Sequence, residues 1–108
     1  MTVENLAKRS GFKTICMPDP EREIVGVYIG DLLSWVMGKA EADNLWITIM
    51  SNINIVAVAT LADTSCILLA EGVEIDDEIV SVASSKGVNI IGTDSSAYEA
   101  ALAVAELL

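Results

Sequence analysis

Apolar and polar positions fall in blocks along the chain, and their period changes from block to block. Thr2 to Ser10 reads as a short helix, stopped by Gly11. Lys13 to Met17 reads as a strand. Pro18-Asp19-Pro20 is a loop, because two prolines so close cannot continue a helix or a central strand. Ile24 to Ile29, with Val25, Val27 and Tyr28, predicts a second strand. Gly30-Asp31 opens a helix through Leu32, Leu33, Trp35, Val36 and Met37, with Gly38 expected as its left-handed cap. Leu45 to Met50 is a strand, and Ser51 is the expected N-cap of a helix over Ile53 to Leu61. Ser65 to Ala70 is the next strand, ended by Glu71-Gly72. Asp76-Asp77-Glu78 place negative charge at a helix start, and Lys86-Gly87 close that helix. Val88 to Gly92 is the last strand. Ser96-Ala97-Tyr98-Glu99 has capping-box spacing and starts a C-terminal helix.

From Ile24 onward, strand and helix alternate every ~20–25 residues, which implies right-handed crossovers and a parallel sheet. The strands are continuous apolar runs, as expected when both sheet faces are covered. The fold class is therefore α/β: a three-layer fold with a mostly parallel central sheet of four to five strands flanked by helices. A length of 108 residues fits a single domain over 1–108.

Two helices depart from the usual amphipathic pattern. At about 100° per residue, Ile53, Val56, Ala57 and Thr60 form one side of the first, and Ile55, Val58, Ala59 and Ala62 the other. Both sides are apolar, whereas one sheet covers one side only. The C-terminal helix shows only a narrow polar stripe, Glu99 and Glu106. Exposed apolar surface of this kind predicts a homodimer through the Ile53–Leu61 and C-terminal helices.

Charge narrows the function. Six basic against sixteen acidic residues leave a net charge of −10, which argues against nucleic acid and against an anionic membrane surface. The uncharged stretch Asn44–Ala62 is long enough to suggest a span, but Asn44, Thr48, Ser51, Asn52, Asn54 and Thr60 interrupt it. The first ten residues lack a signal-peptide pattern, so the expected compartment is the cytoplasm. Histidine is absent, which removes the commonest general base and metal ligand. Cys16 and Cys66 are far apart in apolar segments and form no metal-binding pair. The acidic group Glu71, Glu74, Asp76, Asp77 and Glu78 lacks EF-hand spacing. No P-loop, no dinucleotide-binding glycine pattern and no nucleophile–base pair occurs. The expectation is a non-enzyme with no catalytic residues, no metal and no cofactor.

Ligands of open parallel sheets sit beyond the carboxyl ends of the strands. Those ends carry Gly30-Asp31, Ser51-Asn52, Glu71-Gly72 and Thr93-Asp94-Ser95. Each precedes a helix start whose free N–H groups suit an anion or a polar ligand. The same residue types also serve as ordinary caps and turns.

The blocks Gly30–Met37, Leu45–Ala59 and Cys66–Gly72 resemble a DRTGG domain, and more closely the free-standing DRTGG-like proteins of anaerobic bacteria. The resemblance covers Lys13 to Leu107. The family's Asp-Arg pair aligns with Ser51-Asn52, and its Thr-Gly-Gly with Ala70-Glu71-Gly72, of which only Gly72 matches. The domain is similar to the N-terminal domain of HPr kinase, yet the missing P-loop excludes that activity here. The resemblance implies a regulatory or assembly module, with a setting in iron-hydrogenase or other redox and energy metabolism. The rival reading is a sensor that binds a polar metabolite at the strand ends.

Overall fold

Strands β1 (Phe12–Cys16), β2 (Gly26–Ile29), β3 (Asn44–Thr48), β4 (Cys66–Leu69) and β5 (Ile90–Thr93) form one sheet in the computed structural model of Met1–Leu108. Their order is β1-β5-β4-β3-β2. β2 to β5 run parallel, and β1 lies antiparallel beside β5. The helices are α1 (Val3–Ala7), α2 (Leu33–Lys39), α3 (Asn54–Ala62), α4 (Asp77–Ser85) and α5 (Ala97–Ala105).

The apolar runs make β3, β4 and β5 the centre of the sheet. Side chains alternate across it, as the period of two requires. Trp46, Ile67, Leu69 and Ile90 enter one core layer with α2, α3 and α4. Leu45, Ile47, Leu68 and Ile91 enter the other, with α1 and α5. The three parallel crossovers all step in one direction along the sheet, so right-handedness places α2, α3 and α4 on the same face. Each fully buried leucine or isoleucine contributes about 1.5–3 kcal/mol.

Local chemistry sets most boundaries. Ser96 and Glu99 make the expected capping box: Ser96 Oγ accepts the Glu99 N–H at 3.1 Å, and Glu99 Oε1 accepts the Ser96 N–H at 3.2 Å. Asp76 caps α4 by accepting the Ile79 N–H. Two expectations need correction. Gly38 lies inside α2, which ends at Lys39 against an extended Ala40, so no left-handed cap forms there. Ser51 does not cap α3. The cap position is Ile53, in helical conformation, and the Asn52 side chain accepts the Asn54 N–H at 2.9 Å instead. No helix is long and apolar enough to cross a membrane: the uncharged Asn44–Ala62 stretch divides into β3 and α3.

Loops at the opposite, amino-terminal edge are held by polar side chains. Buried Asn89 donates to the Asp19 and Ser65 carbonyls and accepts the Asp19 N–H. Arg22 Nε donates to Asp43 Oδ1 at 3.0 Å, and its Nη2 donates to both the carbonyl and the carboxylate of Asp63, each at 2.8 Å.

Candidate functional site

β4 and β5 are neighbouring parallel strands whose following helices leave to opposite faces: α4 packs on one core layer and α5 on the other. This divergence is the switch point at which open α/β sheets form a ligand crevice. Here its walls are Glu71-Gly72 after β4 and Thr93-Asp94-Ser95 after β5. Both of the first pair take positive φ, 61° for Glu71 and 71° for Gly72. That double left-handed turn aims their amides across the gap. The Glu71 N–H donates to the Ser95 carbonyl at 2.8 Å, and the Gly72 N–H to the Thr93 carbonyl at 2.9 Å. A Cβ on Gly72 would sit 3.1 Å from Asp94 Oδ1, so the Asp94 side chain lies close over the glycine. The crevice is closed by backbone hydrogen bonds.

Thr93 ends β5 with its hydroxyl buried. Its Oγ1 donates to the Gly11 carbonyl at 2.8 Å and accepts the Ser95 N–H at 3.2 Å. Thr48 ends β3 in the same manner. Its Oγ1 donates to Asp31 Oδ1 at 2.8 Å and accepts the Met50 N–H at 3.2 Å. The same Asp31 oxygen accepts the Ile49 N–H at 3.1 Å, while the Gly30 carbonyl accepts Trp46 Nε1–H at 2.9 Å. Two threonines thus turn the chain out of two strands and tie each exit to a neighbouring loop.

The nine residues expected at the strand ends form three groups. Glu71, Gly72, Thr93, Asp94 and Ser95 come together at the switch point. Gly30 and Asp31 join Trp46, Thr48 and Ile49 at the other side of the sheet. Ser51 and Asn52 stay exposed on the loop into α3. The widths of β3 and β4 separate the Asp31 and Asp94 loops, so these two carboxylates make no acid–base pair. Sequence reading missed Thr48, placed in mid-strand, and Gly11 and Lys13, which only the antiparallel pairing of β1 brings beside Thr93 and Asp94. Gly11, Phe12, Lys13, Gly92, Thr93 and Asp94 line a shallow indentation of about 230 Å³ there. A larger open groove of about 420 Å³ lies elsewhere, between α3 and α4.

Burial decides the state of both thiols. It pushes Cys16 and Cys66 above the ordinary thiol range, and the Cys16 thiol donates to the Val80 carbonyl at 3.8 Å and the Cys66 thiol to the Ile67 carbonyl at 3.3 Å. Neither is an activated nucleophile.

Layering, topology and the closed switch point define an open-sheet α/β domain with an antiparallel strand added at one edge. The DRTGG domain model matches residues 18–107, and the chain belongs to that family. The match begins after β1, so α1 and β1 add to the matched region one sheet edge and part of one core layer. Among solved structures, the chain is similar to the CBS and DRTGG domains of the regulatory region of Clostridium perfringens pyrophosphatase, complexed with the activator diadenosine tetraphosphate. The identity is 13% and the TM-score 0.70, over 92% of this chain and 44% of that one. No curated protein matches the chain.

Proposed function

We propose that the protein is a non-catalytic regulatory or assembly module that acts as a homodimer. Iron-hydrogenase or related redox metabolism is the setting that the family resemblance implies. The observation that carries this reading is the closed switch point. Backbone bonds from Glu71 to Ser95 and from Gly72 to Thr93 occupy the amides that a ligand would otherwise use. The hydroxyls of Thr48 and Thr93 are likewise committed within the fold. A domain with its ligand crevice sealed works through its outer surfaces. That the similar pyrophosphatase region is a regulatory one supports the same class of role.

The two helices expected to share the dimer contact lie on opposite faces of the sheet, α3 in one core layer and α5 in the other. A two-fold interface uses one continuous patch on each copy. We therefore assign the contact to one of the two helices.

A second reading has one observation in its favour. Lys13 reaches the indentation at Thr93 and Asp94 and supplies its one cation, which suits a small, neutral or singly anionic polar metabolite. A polyphosphate would meet a net charge of −10 with little fixed positive charge to offset it. A thermal-shift series separates the readings, because a ligand of the native state raises the midpoint by mass action. The module reading expects no shift with ATP, diadenosine tetraphosphate or small neutral metabolites. A shift by a small metabolite that is lost in both Lys13→Ala and Thr93→Ala would favour the sensor. Tight polyphosphate binding would overturn both.

A further inference from the structure

We propose, on the homodimer reading above, that α3 is the dimer helix and that it packs antiparallel against α3 of a second copy, with the two-fold axis at Ala57. α3 is the middle of the three helices on its face, and its outward residues are Ile53, Asn54, Ala57, Thr60 and Leu61. An antiparallel crossing centred on Ala57 maps this set onto itself. Ile53 meets Leu61, Asn54 meets Thr60, and Ala57 meets its own copy. Apolar faces apolar, an amide faces a hydroxyl, and the smallest side chain lies on the axis, where helices approach to about 8 Å. Any helical stripe has symmetric spacing; the matched chemistry across this centre is particular to α3.

Charge selects the same face. Two copies of a chain carrying −10 repel wherever carboxylates meet. α2 and α3 contain no acidic residue, and α4 holds only Asp77 and Glu78 in its first turn. Lys39 and Lys86 stand at the far ends of α2 and α4. On the opposite face α5 offers Tyr98 and Leu102, but also Glu99 and Glu106, with no cation in its last turn. With the cap residues counted, a second copy brings onto α3 only Asp63, which is already paired with Arg22, and onto α5 two carboxylates.

Area extends the contact beyond one helix pair. A stable interface takes about 800 Å² from each partner, roughly one-seventh of the 5498 Å² this chain exposes. Leu61, 70% exposed, and Ile53, 43% exposed, are the largest outward groups of α3. They stand beside the groove of about 420 Å³ that Val56 floors and Val82 and Lys86 close. The partner's Ile53 and Leu61 fill this groove, and exposed Trp35 on the flanking helix α2, with Leu32 just before it, adds the remaining apolar surface.

The test uses the full chain and sedimentation equilibrium. Ala57→Asp and Leu61→Asp are each expected to raise the dimer dissociation constant about 100-fold or more, since they bring buried like charge to the contact. Both positions are exposed in the single copy, so circular dichroism should show the fold retained. Ala57→Lys should also separate the copies. An equal mixture of the Ala57→Asp and Ala57→Lys chains should restore dimers, which only a contact of residue 57 with itself allows. Failure of the mixture to pair would overturn the axis. A dimer that survives Ala57→Asp but separates on Leu102→Asp would overturn the α3 assignment and leave the homodimer standing. A monomeric parent chain at high micromolar concentration would remove both.

Discussion

The amide of Glu71 donates a 2.8 Å hydrogen bond to the carbonyl of Ser95, and this contact joins the loops that leave β4 and β5 toward opposite faces. It forms because Glu71 adopts φ 61°, a left-handed conformation that a non-glycine residue enters at a cost of about 1–2 kcal/mol. The family pattern has glycine where this chain has Glu71. The strain is offset by the cross-loop bonds it makes possible.

Substitutions at Glu71 and Gly72 should have opposite signs. Glu71→Gly removes the Cβ penalty and loses some of that gain to the greater freedom of the unfolded chain, for a net stabilisation of about 0.5–1 kcal/mol. Gly72→Ala adds a Cβ at φ 71°, 3.1 Å from Asp94 Oδ1. It should destabilise by about 1–2 kcal/mol. Urea midpoints at unchanged slope measure both. A stabilising Gly72→Ala would contradict the described loop.

The strand-ending threonines make a matched pair for a second prediction. Thr93→Val keeps the shape but leaves the Gly11 carbonyl and the Ser95 N–H without their partner. Thr48→Val does the same to Asp31 and the Met50 N–H. Each should cost about 0.5–1.5 kcal/mol, the net worth of a partly buried hydrogen bond, because Gly11 and Asp31 are exposed and Ser95 and Met50 half-buried, so the freed groups regain some water. Valine tolerated at both sites without change in urea midpoint would show these bonds to be dispensable.

Much of this architecture was legible in the chain. The runs at Leu45–Ile49 and Cys66–Leu69 could be covered on both faces only in a parallel sheet, and Ser96 with Glu99 announced α5 to the residue. The sequence could not show that β1 turns antiparallel beside β5, because one edge strand leaves the same apolar pattern in either direction. That pairing brings Gly11 and Lys13 to Thr93. Thr48 was hidden for a similar reason: a threonine in a β-branched run reads as strand filler, and its role appears only when Asp31 arrives from the neighbouring loop. Ser51 failed as a cap because Asn52, one residue nearer the helix, reaches the Asn54 N–H first.

Arg22 carries a third prediction. Its guanidinium spans Asp43 and Asp63, two residues held at φ 65° and 58° just before β3 and β4. A lysine cannot present both the Nε and Nη2 donors of that fork. Arg22→Lys should therefore recover less than half of the stability lost in Arg22→Met, itself about 1–3 kcal/mol. Because the carboxylates are partly exposed, part of the loss should vanish in ~1 M salt. Full recovery with lysine would reduce the clamp to a simple charge contact.

The buried thiols set a stability limit at high pH. In the unfolded chain Cys66 ionises near its ordinary value of 9.0, and burial pushes its folded value well above that. Cys16 shifts in the same direction, also through burial. Below the unfolded value both states hold these protons, and the thiols leave stability independent of pH. Above it the unfolded chain releases protons that the folded chain keeps, so stability falls as pH rises. The slope reaches about 1.4 kcal/mol per pH unit for each thiol that stays protonated. The informative quantity is the difference between the parent chain and Cys66→Ala. That variant should carry a constant cavity cost at neutral pH and a shallower decline between about pH 9 and pH 10.5. Alkylation should follow the same logic, with Cys66 labelled only at the rate of global unfolding. Parallel stability curves for the two chains, or rapid labelling of Cys66 in the native state, would contradict the burial described here.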